Sequence, residues 1–154
     1  MPIPPFHVMI TRPKPEGEAL CRQLQAHGYD AIHVPVLEIK PLTDTRLLRE
    51  QIASLDHYAW AIFISRSAVR TSAALIHEQW PQFPVQLRLA AVGQGTAEAL
   101  QQARLPAALY PPADWSSEGL LALPEFQQVA NQKIALFCGE GGKSWADQAR
   151  VHPD

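Results

Sequence analysis

The chain has 154 residues, of which 47% are hydrophobic and 18% are charged, and its formal net charge at pH 7 is −2. This length and composition predict about one globular domain with an ordinary core, and they exclude a disordered chain. No basic run predicts a nucleic-acid surface, no apolar run reaches the ~18 residues of a membrane span, and the opening MPIPPFHVMITRP is not typical of a signal peptide. We therefore expect a soluble, cytoplasmic protein without a nucleic-acid or membrane partner.

The opening of the chain predicts a strand, a helix and a second strand. The run FHVMITRP is typical of a buried strand. The helix EGEALCRQLQAHG follows, with Leu20 and Leu24 on one face and Gly28 as its stop signal. We predict the second strand at AIHVPVLEI, where Pro35 indicates an edge position or a bend. The segment LEIKPLTD, residues 37–44, is the best candidate for a linker.

The remaining chain continues the same alternation. Predicted helices lie at DTRLLREQIASL, SAVRTSAALIHEQW, TAEALQQAR and SSEGLLALPEFQQVA, the last with a possible break at Pro124. The first of these carries its apolar face on Leu47, Leu48, Ile52 and Leu55. Predicted strands lie at YAWAIFIS, LRLAAVG, AALYP and KIALFCG. Six strands that alternate with five helices favour an α/β fold with a doubly wound parallel sheet.

The loops that follow the strands share one chemistry. ITRP, ISRSA, VGQGTA, DWSSEG and CGEGG each follow a predicted strand and open a helix. In a parallel sheet these loops meet at one edge, where free N–H groups and the positive ends of helices favour anions. The hydroxyl residues in these loops also have a simpler explanation, because Ser65, Ser67, Thr96 and Ser116 are all good helix N-caps.

Two partial motifs suggest a nucleotide, and neither is complete. In FCGEGGKS, Phe137 occupies the position of the first P-loop glycine. In GQGTAE, Gly93 and Gly95 match the first two glycines of the dinucleotide motif, but Glu98 takes the place of the third. Asp114 stands about 20 residues further on, where a ribose-binding acid is expected. A nucleotide- or anion-binding module without catalysis therefore stays open as an alternative.

No metal site or nucleophile–base pair emerges from the sequence. The six histidines lack metal-ligand spacing, and neither a G-x-S-x-G elbow nor a C-x-x-C pair occurs. Two cysteines, Cys21 and Cys138, do not predict a disulfide scaffold and fit a reducing cytosol. The residues alone therefore give no sign of a metal site, and they leave the catalytic group unknown.

The order of these blocks resembles the bacterial uroporphyrinogen-III synthases. The resemblance runs from about residue 7 to 143 and rests on VMITRPKPEGEALCRQLQAHGYDAIHVPVLEI, AIFISRSAV, LAAVGQGTAEAL and LYPPADWSSEGLLALPEFQQVANQKIALFCGEGG. The sequence departs from the family pattern at Cys138, where an arginine usually precedes Gly-x-Gly-Gly. No residue matches the tyrosine that has been proposed as the family's proton donor.

The resemblance implies two α/β domains of flavodoxin-like type, joined by a two-stranded connection. Residues 1–38 would be the opening strand–helix–strand of a discontinuous first domain, and residues 39–154 would be the second domain without its last elements. The LEIKP segment would be one connecting strand. We expect that such a chain is truncated and insufficient for activity, and that an exposed sheet edge promotes self-association.

The resemblance also implies a reaction that needs no cofactor or metal. Linear hydroxymethylbilane loses its terminal hydroxyl as water, ring D is inverted through a spiro intermediate, and the macrocycle closes as uroporphyrinogen III. The substrate carries eight carboxylates, which suits an anion-binding edge. On this basis the expected substrate-binding residues are Thr11, Arg12, Ser65, Arg66, Ser67, Gly95, Thr96, Gly139 and Gly141.

Overall fold

The computed structural model describes residues 6–139, and within this range the chain has six strands and five α-helices. The strands are β1 (His7–Ile10), β2 (Asp30–His33), β3 (Trp60–Phe63), β4 (Arg88–Ala91), β5 (Ala108–Leu109) and β6 (Ile134–Phe137). The helices are α1 (Glu16–Ala26), α2 (Arg46–Ala53), α3 (Arg66–Gln79), α4 (Gln94–Gln102) and α5 (Ser117–Leu121). Single 3₁₀ turns follow α2 at Leu55–His57 and α5 at Pro124–Phe126. No helix in the described range is both long and apolar enough to cross a bilayer.

The chain divides into two compact units, Met1–Thr43 and Asp44–Asp154. The assignment of residues 1–38 and 39–154 to two domains of the family fold stays a prediction.

The first unit is a parallel pair of strands covered by one helix. Strands β1 and β2 pair in parallel. A small core joins them to α1 and consists of Ile10, Cys21 and Ala31, with Val8 and Leu24 packed against it. The prediction that Leu20 shares the apolar face of α1 was wrong, because Leu20 is exposed. The buried stripe of α1 instead runs through Gly17, Cys21 and Leu24.

Strand β2 is much shorter than the predicted run AIHVPVLEI, since it ends at His33. Two backbone contacts extend it slightly, because the N–H groups of Val34 and Val36 donate to the carbonyls of Ile10 and Thr11. Pro35 between them has no N–H to donate, which weakens the pairing. The expected connecting strand at LEIKP does not form, since no strand of residues 6–139 pairs with this segment.

The second unit contains a four-stranded parallel sheet in the order β5-β4-β3-β6. Along β3 the side chains alternate between two buried clusters. Ala61 and Phe63 join the larger cluster, formed with α2, α3 and α4, whereas Trp60 and Ile62 join a second cluster with Leu120 of α5. Helices therefore cover both faces of the sheet, which confirms the predicted doubly wound α/β fold and explains why β3 is apolar throughout.

Two helices of this unit differ in detail from their predictions. Leu47 was expected on the apolar face of α2, but it is 67% exposed, whereas Ile52 and Leu55 are buried. Helix α5 ends at Leu121 and a 3₁₀ turn begins at Pro124, so the predicted break at this proline is confirmed. Proline in a helix interior lacks the N–H donor and clashes with the preceding turn.

Candidate functional site

The carboxyl edge of the four-stranded sheet brings several predicted site residues together. Strand β3 pairs with β4 on one side and with β6 on the other, and all three strands run in parallel. After β3 the chain continues to β4 and β5 on one side of β3, whereas β6 lies on the other side of β3. The direction in which successive strands are added to the sheet therefore reverses between β3 and β6. Ligands of open α/β sheets bind in the crevice at such a switch point.

The loop after β3 begins helix α3 with a conventional cap. Ser65 is the N-cap residue, and its Oγ accepts a hydrogen bond from the Ala68 backbone N–H at 3.1 Å. The Oγ of Ser67 accepts from Nη2 of Arg70 at 3.0 Å. The capping explanation is therefore correct for Ser65, whose hydroxyl stabilises the helix. Ser116 caps α5 in the same way, through a bond from the Gly119 N–H at 3.0 Å.

The loop after β4 begins helix α4 without any side-chain cap. Its N-cap is Gly93, so Thr96 is not a cap but the third residue of the helix. The Thr96 and Ala97 N–H groups both donate to the Gly93 carbonyl. The N–H groups of Gln94 and Gly95 have no backbone acceptor among residues 6–139, which leaves them available at the positive end of the helix.

Arg66 connects the two loops. Its Nε donates to the Gly95 carbonyl oxygen at 3.1 Å, so the guanidinium lies against the first turn of α4. A Cβ atom at position 95 would overlap this guanidinium, with Arg66 Nε at 2.8 Å. Among residues 6–139 no carboxylate forms an ion pair with Arg66. The structure thus places Ser65, Arg66, Ser67, Gly95 and Thr96 at one edge of the sheet.

Thr96 has an unusual environment for a hydroxyl. The residue is only 8% exposed, yet its Oγ has no hydrogen-bond partner among residues 6–139. Among residues 6–139, Nε1 of Trp60 is the one side-chain polar atom that is fully buried and has no hydrogen-bond partner. The Thr96 oxygen, which also has no partner, is therefore not fully buried and still contacts solvent.

Thr11 and Arg12 lie in the first unit, in the loop between β1 and α1. Both residues are exposed. The Arg12 carbonyl accepts a hydrogen bond from Nε2 of His33 at 2.8 Å, which requires the tautomer with the proton on Nε2. His33 therefore fixes the backbone that presents the Arg12 side chain.

Gly139 follows β6 and is exposed, with open space where a Cβ would stand. Gly141 lies outside the described residues, as does most of the FCGEGGKS motif.

Trp115 is a residue of this edge that the sequence analysis did not identify. The Cβ of Trp115 lies 3.1 Å from the position that a Cβ would occupy on Gly93, and Trp115 is 61% exposed. The feature of the sequence that could have identified Trp115 is an aromatic residue in a loop that follows a strand.

No three His, Cys, Asp or Glu side chains within residues 6–139 are grouped closely enough to hold a metal ion. The chemistry that the described edge offers is therefore hydrogen-bond donation and positive charge. It comes from two helix N-termini, one guanidinium and the Thr96 hydroxyl, all of which favour an anionic ligand.

Comparison with known proteins agrees with this picture. Residues 18–145 match the family model described as uroporphyrinogen-III synthase HemD. The chain is 32% identical to the uroporphyrinogen-III synthase of Proteus mirabilis over 136 residues, which cover 88% of this chain and 68% of that protein. It is 34% identical to the synthase of Escherichia coli K12 over 139 residues, which cover 88% of this chain and 55% of that protein.

A third relative gives a similar result. Over 147 residues the chain is 32% identical to the uroporphyrinogen-III synthase of Synechococcus elongatus. These residues cover 92% of this chain and 54% of that protein. The chain thus spans between about half and two thirds of the length of these relatives. The family model extends over most of the described fold, from α1 to beyond β6. The chain therefore belongs to the uroporphyrinogen-III synthase family.

Proposed function

We propose that this chain acts in the reaction after which its relatives are named, the cyclisation of hydroxymethylbilane to uroporphyrinogen III in haem biosynthesis. The terminal hydroxyl of the linear tetrapyrrole leaves as water. The resulting cation closes with inversion of ring D, and no cofactor or metal takes part. A linear substrate with eight carboxylates needs to be folded and held, which is an orientation effect rather than conventional acid–base catalysis.

The observation that supports this proposal most strongly is the chemistry of the β3–β4 edge. Arg66 and the N-termini of α3 and α4 present cationic and N–H groups towards one region, and no described carboxylate pairs with Arg66. Such an edge suits a polycarboxylate better than a neutral substrate. We also include Thr11, Arg12, Gly139 and Gly141 in the proposed substrate-binding set, because each lies in a loop that follows a strand predicted from the sequence.

The deciding experiment measures the isomer ratio of uroporphyrinogen formed from freshly generated hydroxymethylbilane, with and without the chain. Without enzyme the bilane closes to isomer I. A rise in isomer III that depends on chain concentration supports the proposal. Isomer I alone, from a chain shown by circular dichroism to be folded, contradicts activity of these 154 residues and agrees with the expectation that they are insufficient for it. The family assignment then stands, and so does the alternative of an anion-binding module without catalysis.

We place this activity in the cytoplasm. Cys21 and Cys138 are free thiols, as is common in a reducing compartment. A fluorescent protein fused to the C-terminus and imaged in the native host would test this location. A signal confined to the cell envelope would contradict it.

We also propose that copies of the chain associate through the sheet of the first unit. Met9 and Ile32 are partners in the β1–β2 register, and they are 61% and 51% exposed on the face opposite α1. Parallel sheets are normally covered on both faces. Sedimentation velocity should show concentration-dependent dimers that Ile32→Glu removes and that Val85→Glu, at a fully exposed site in the second unit, leaves intact. A monomer at all concentrations would contradict the proposal.

A further inference from the structure

Residues 36–42 present unpaired backbone together with exposed apolar side chains. The segment follows β2 in the first unit and belongs to no helix or strand. Leu37 is 68% exposed and Ile39 is 49% exposed. The N–H groups of Glu38 and Lys40 have no backbone acceptor in the described part of the chain. An exposed apolar run with free N–H groups is a template for pairing with another chain.

The sequence of this segment, VLEIKPL, is complementary to itself when two copies run antiparallel. With Ile39 facing its counterpart in a second copy, Glu38 faces Lys40 of that copy. Two residues further along the same face, Val36 faces Leu42 of the second copy. Each of these pairs occurs twice, because the two copies are related by a two-fold axis. Opposite charges and apolar pairs across neighbouring strands stabilise antiparallel pairing.

The two charges also select one register. Glu38 and Lys40 lie on the same side of the segment, since their side chains form an ion pair at 3.1 Å within the chain. A pairing centred one residue earlier would place Glu38 opposite Glu38, and a pairing centred one residue later would place Lys40 opposite Lys40. Like charges that face each other directly are destabilising. The pairing centred on Ile39 is therefore favoured over its two symmetric neighbours.

The two prolines of this region are compatible with the same register. Residues of an antiparallel pair alternate between positions that exchange backbone hydrogen bonds with the partner strand and positions that do not. If Glu38 and Lys40 exchange hydrogen bonds with the second copy, Pro35 and Pro41 fall at positions whose nitrogens point away from it. Proline is tolerated at such positions of a strand, because no N–H is needed there.

We propose that two copies of the chain pair antiparallel through residues 36–42, with Ile39 on the two-fold axis. The inference rests on the self-association proposed above and specifies the contact that aligns the two copies; it does not depend on the cyclisation activity. A pair of such short segments is marginally stable alone. The exposed face of Met9 and Ile32 therefore has to supply further apolar area.

Mixing two charge-reversed variants tests the register. Glu38→Lys makes both facing pairs positive, and Lys40→Glu makes both negative. Each variant alone should dimerise about three- to thirtyfold more weakly than the unaltered chain, because two cross-strand pairs change from attraction to repulsion. An equimolar mixture should regain most of the dimer, since every facing pair is then opposite in charge. Sedimentation velocity at one total concentration and low ionic strength measures both effects.

The matched control reverses the charges of an ion pair on α1 of the same unit. Glu18→Lys and Arg22→Glu change the net charge by the same amounts, at another exposed pair. Their mixture should dimerise no better than the two control variants do separately. The proposal is overturned if mixing the position 38 and 40 variants produces no gain, or if the control mixture gains as much.

A disulfide cross-link tests which residue lies on the axis. Residues that face each other at a non-hydrogen-bonded position have Cα atoms about 4.5 Å apart, which a disulfide can span. Cys138→Ser first removes the exposed native thiol. In that background, Ile39→Cys should cross-link copies under mild oxidation, whereas Leu37→Cys, which faces Pro41 of the second copy, should cross-link far less. Equal yields of cross-linked dimer on a non-reducing gel would overturn the register.

The two contacts proposed for self-association fail separately. If Ile32→Glu removes dimers but reversing the charge at position 38 does not weaken them, the sheet face stands and the pairing of residues 36–42 is wrong. If charge reversal weakens dimers and mixing restores them while Ile32→Glu has no effect, the pairing stands and the sheet face is wrong. A monomer at all concentrations overturns both contacts and leaves residues 36–42 to a partner other than a second copy.

Discussion

Gly17→Ala should unfold the first unit locally while the second unit stays intact. Gly17 lies in the first turn of α1 and is buried against the β1–α1 loop. A Cβ there would overlap the Arg12 carbonyl oxygen and stand 2.5 Å from His33 Nε2. Both neighbours are fixed, because the His33 ring donates to that same carbonyl. The helix, the loop and β2 therefore cannot all keep their places.

The size of the effect follows from three contributions. Overpacking against rigid neighbours costs about 1–3 kcal/mol. Loss of the His33–Arg12 hydrogen bond adds about 1 kcal/mol, and the better helix propensity of alanine returns about 1 kcal/mol. We expect a net destabilisation of about 1–3 kcal/mol in the first unit, which is large for a core of three buried side chains.

Native-state hydrogen exchange measures this change at each amide. Exchange at β1 and β2 should accelerate roughly 5- to 150-fold, while β3 and β4 keep their protection. Unfolding followed by tryptophan fluorescence should not shift, because all four tryptophans lie beyond residue 44. Gly139→Ala, at a site with nothing within 4 Å of the new Cβ, is the control. Unchanged exchange in β1 and β2, or equal acceleration in both units, would refute the reasoning.

Three further outcomes are expected. Hydrogen bonds from the Arg46 side chain lower the pKa of the Asp44 carboxyl, so the stability that this pair contributes is present above the unfolded-state pKa of Asp44 and is lost as the pH falls through its folded-state pKa. Arg46→Gln should raise the pKa of Asp44 in an NMR titration. Trp80→Phe should cost more unfolding free energy in urea than Trp60→Phe, since Trp80 Nε1 donates a hydrogen bond at 2.7 Å whereas Trp60 Nε1 has no partner; equal costs would argue against this. Cys138, the exposed cysteine, should react with a maleimide in the folded chain before the buried one does, as mass spectrometry of the labelled peptides would show.

The elements of the second unit were predictable because their signals are local. Strand β3 is a continuous apolar run, and the break at Pro124 follows from the chemistry of one residue. Errors occurred where burial depends on neighbours that the sequence does not reveal. Leu20 and Leu47 follow a helical period as well as their buried neighbours do, but tertiary packing selects a different stripe.

The candidate site was predictable only in outline. Strand-end loops with glycine and hydroxyl residues indicated the correct edge, because parallel strands bring their carboxyl ends together. The roles within that edge were not predictable, since Ser65 and Thr96 are both hydroxyl residues near a helix start. Ser65 caps α3, whereas Thr96 is the third residue of α4, and the cap of α4 is Gly93. The contact between Arg66 and Gly95 spans 29 residues and has no local signal.

The same edge shows which of its features serve folding and which do not. Ser65 and Ser116 obey the rules of helix stability, because each satisfies an N–H group that would otherwise lack a partner. Arg66 and Gly95 break those rules at one point: a cation begins α3, and a glycine in the first turn of α4 costs about 0.5–1 kcal/mol relative to alanine. Two neighbouring choices that each oppose stability, and that fit one another sterically, are expected where a site is maintained for a ligand. Arg66→Glu should then raise the unfolding midpoint of the free chain, since it reverses the charge at the start of α3, while it lowers the yield of isomer III from hydroxymethylbilane. A variant that loses both stability and isomer III formation would instead show that Arg66 is structural.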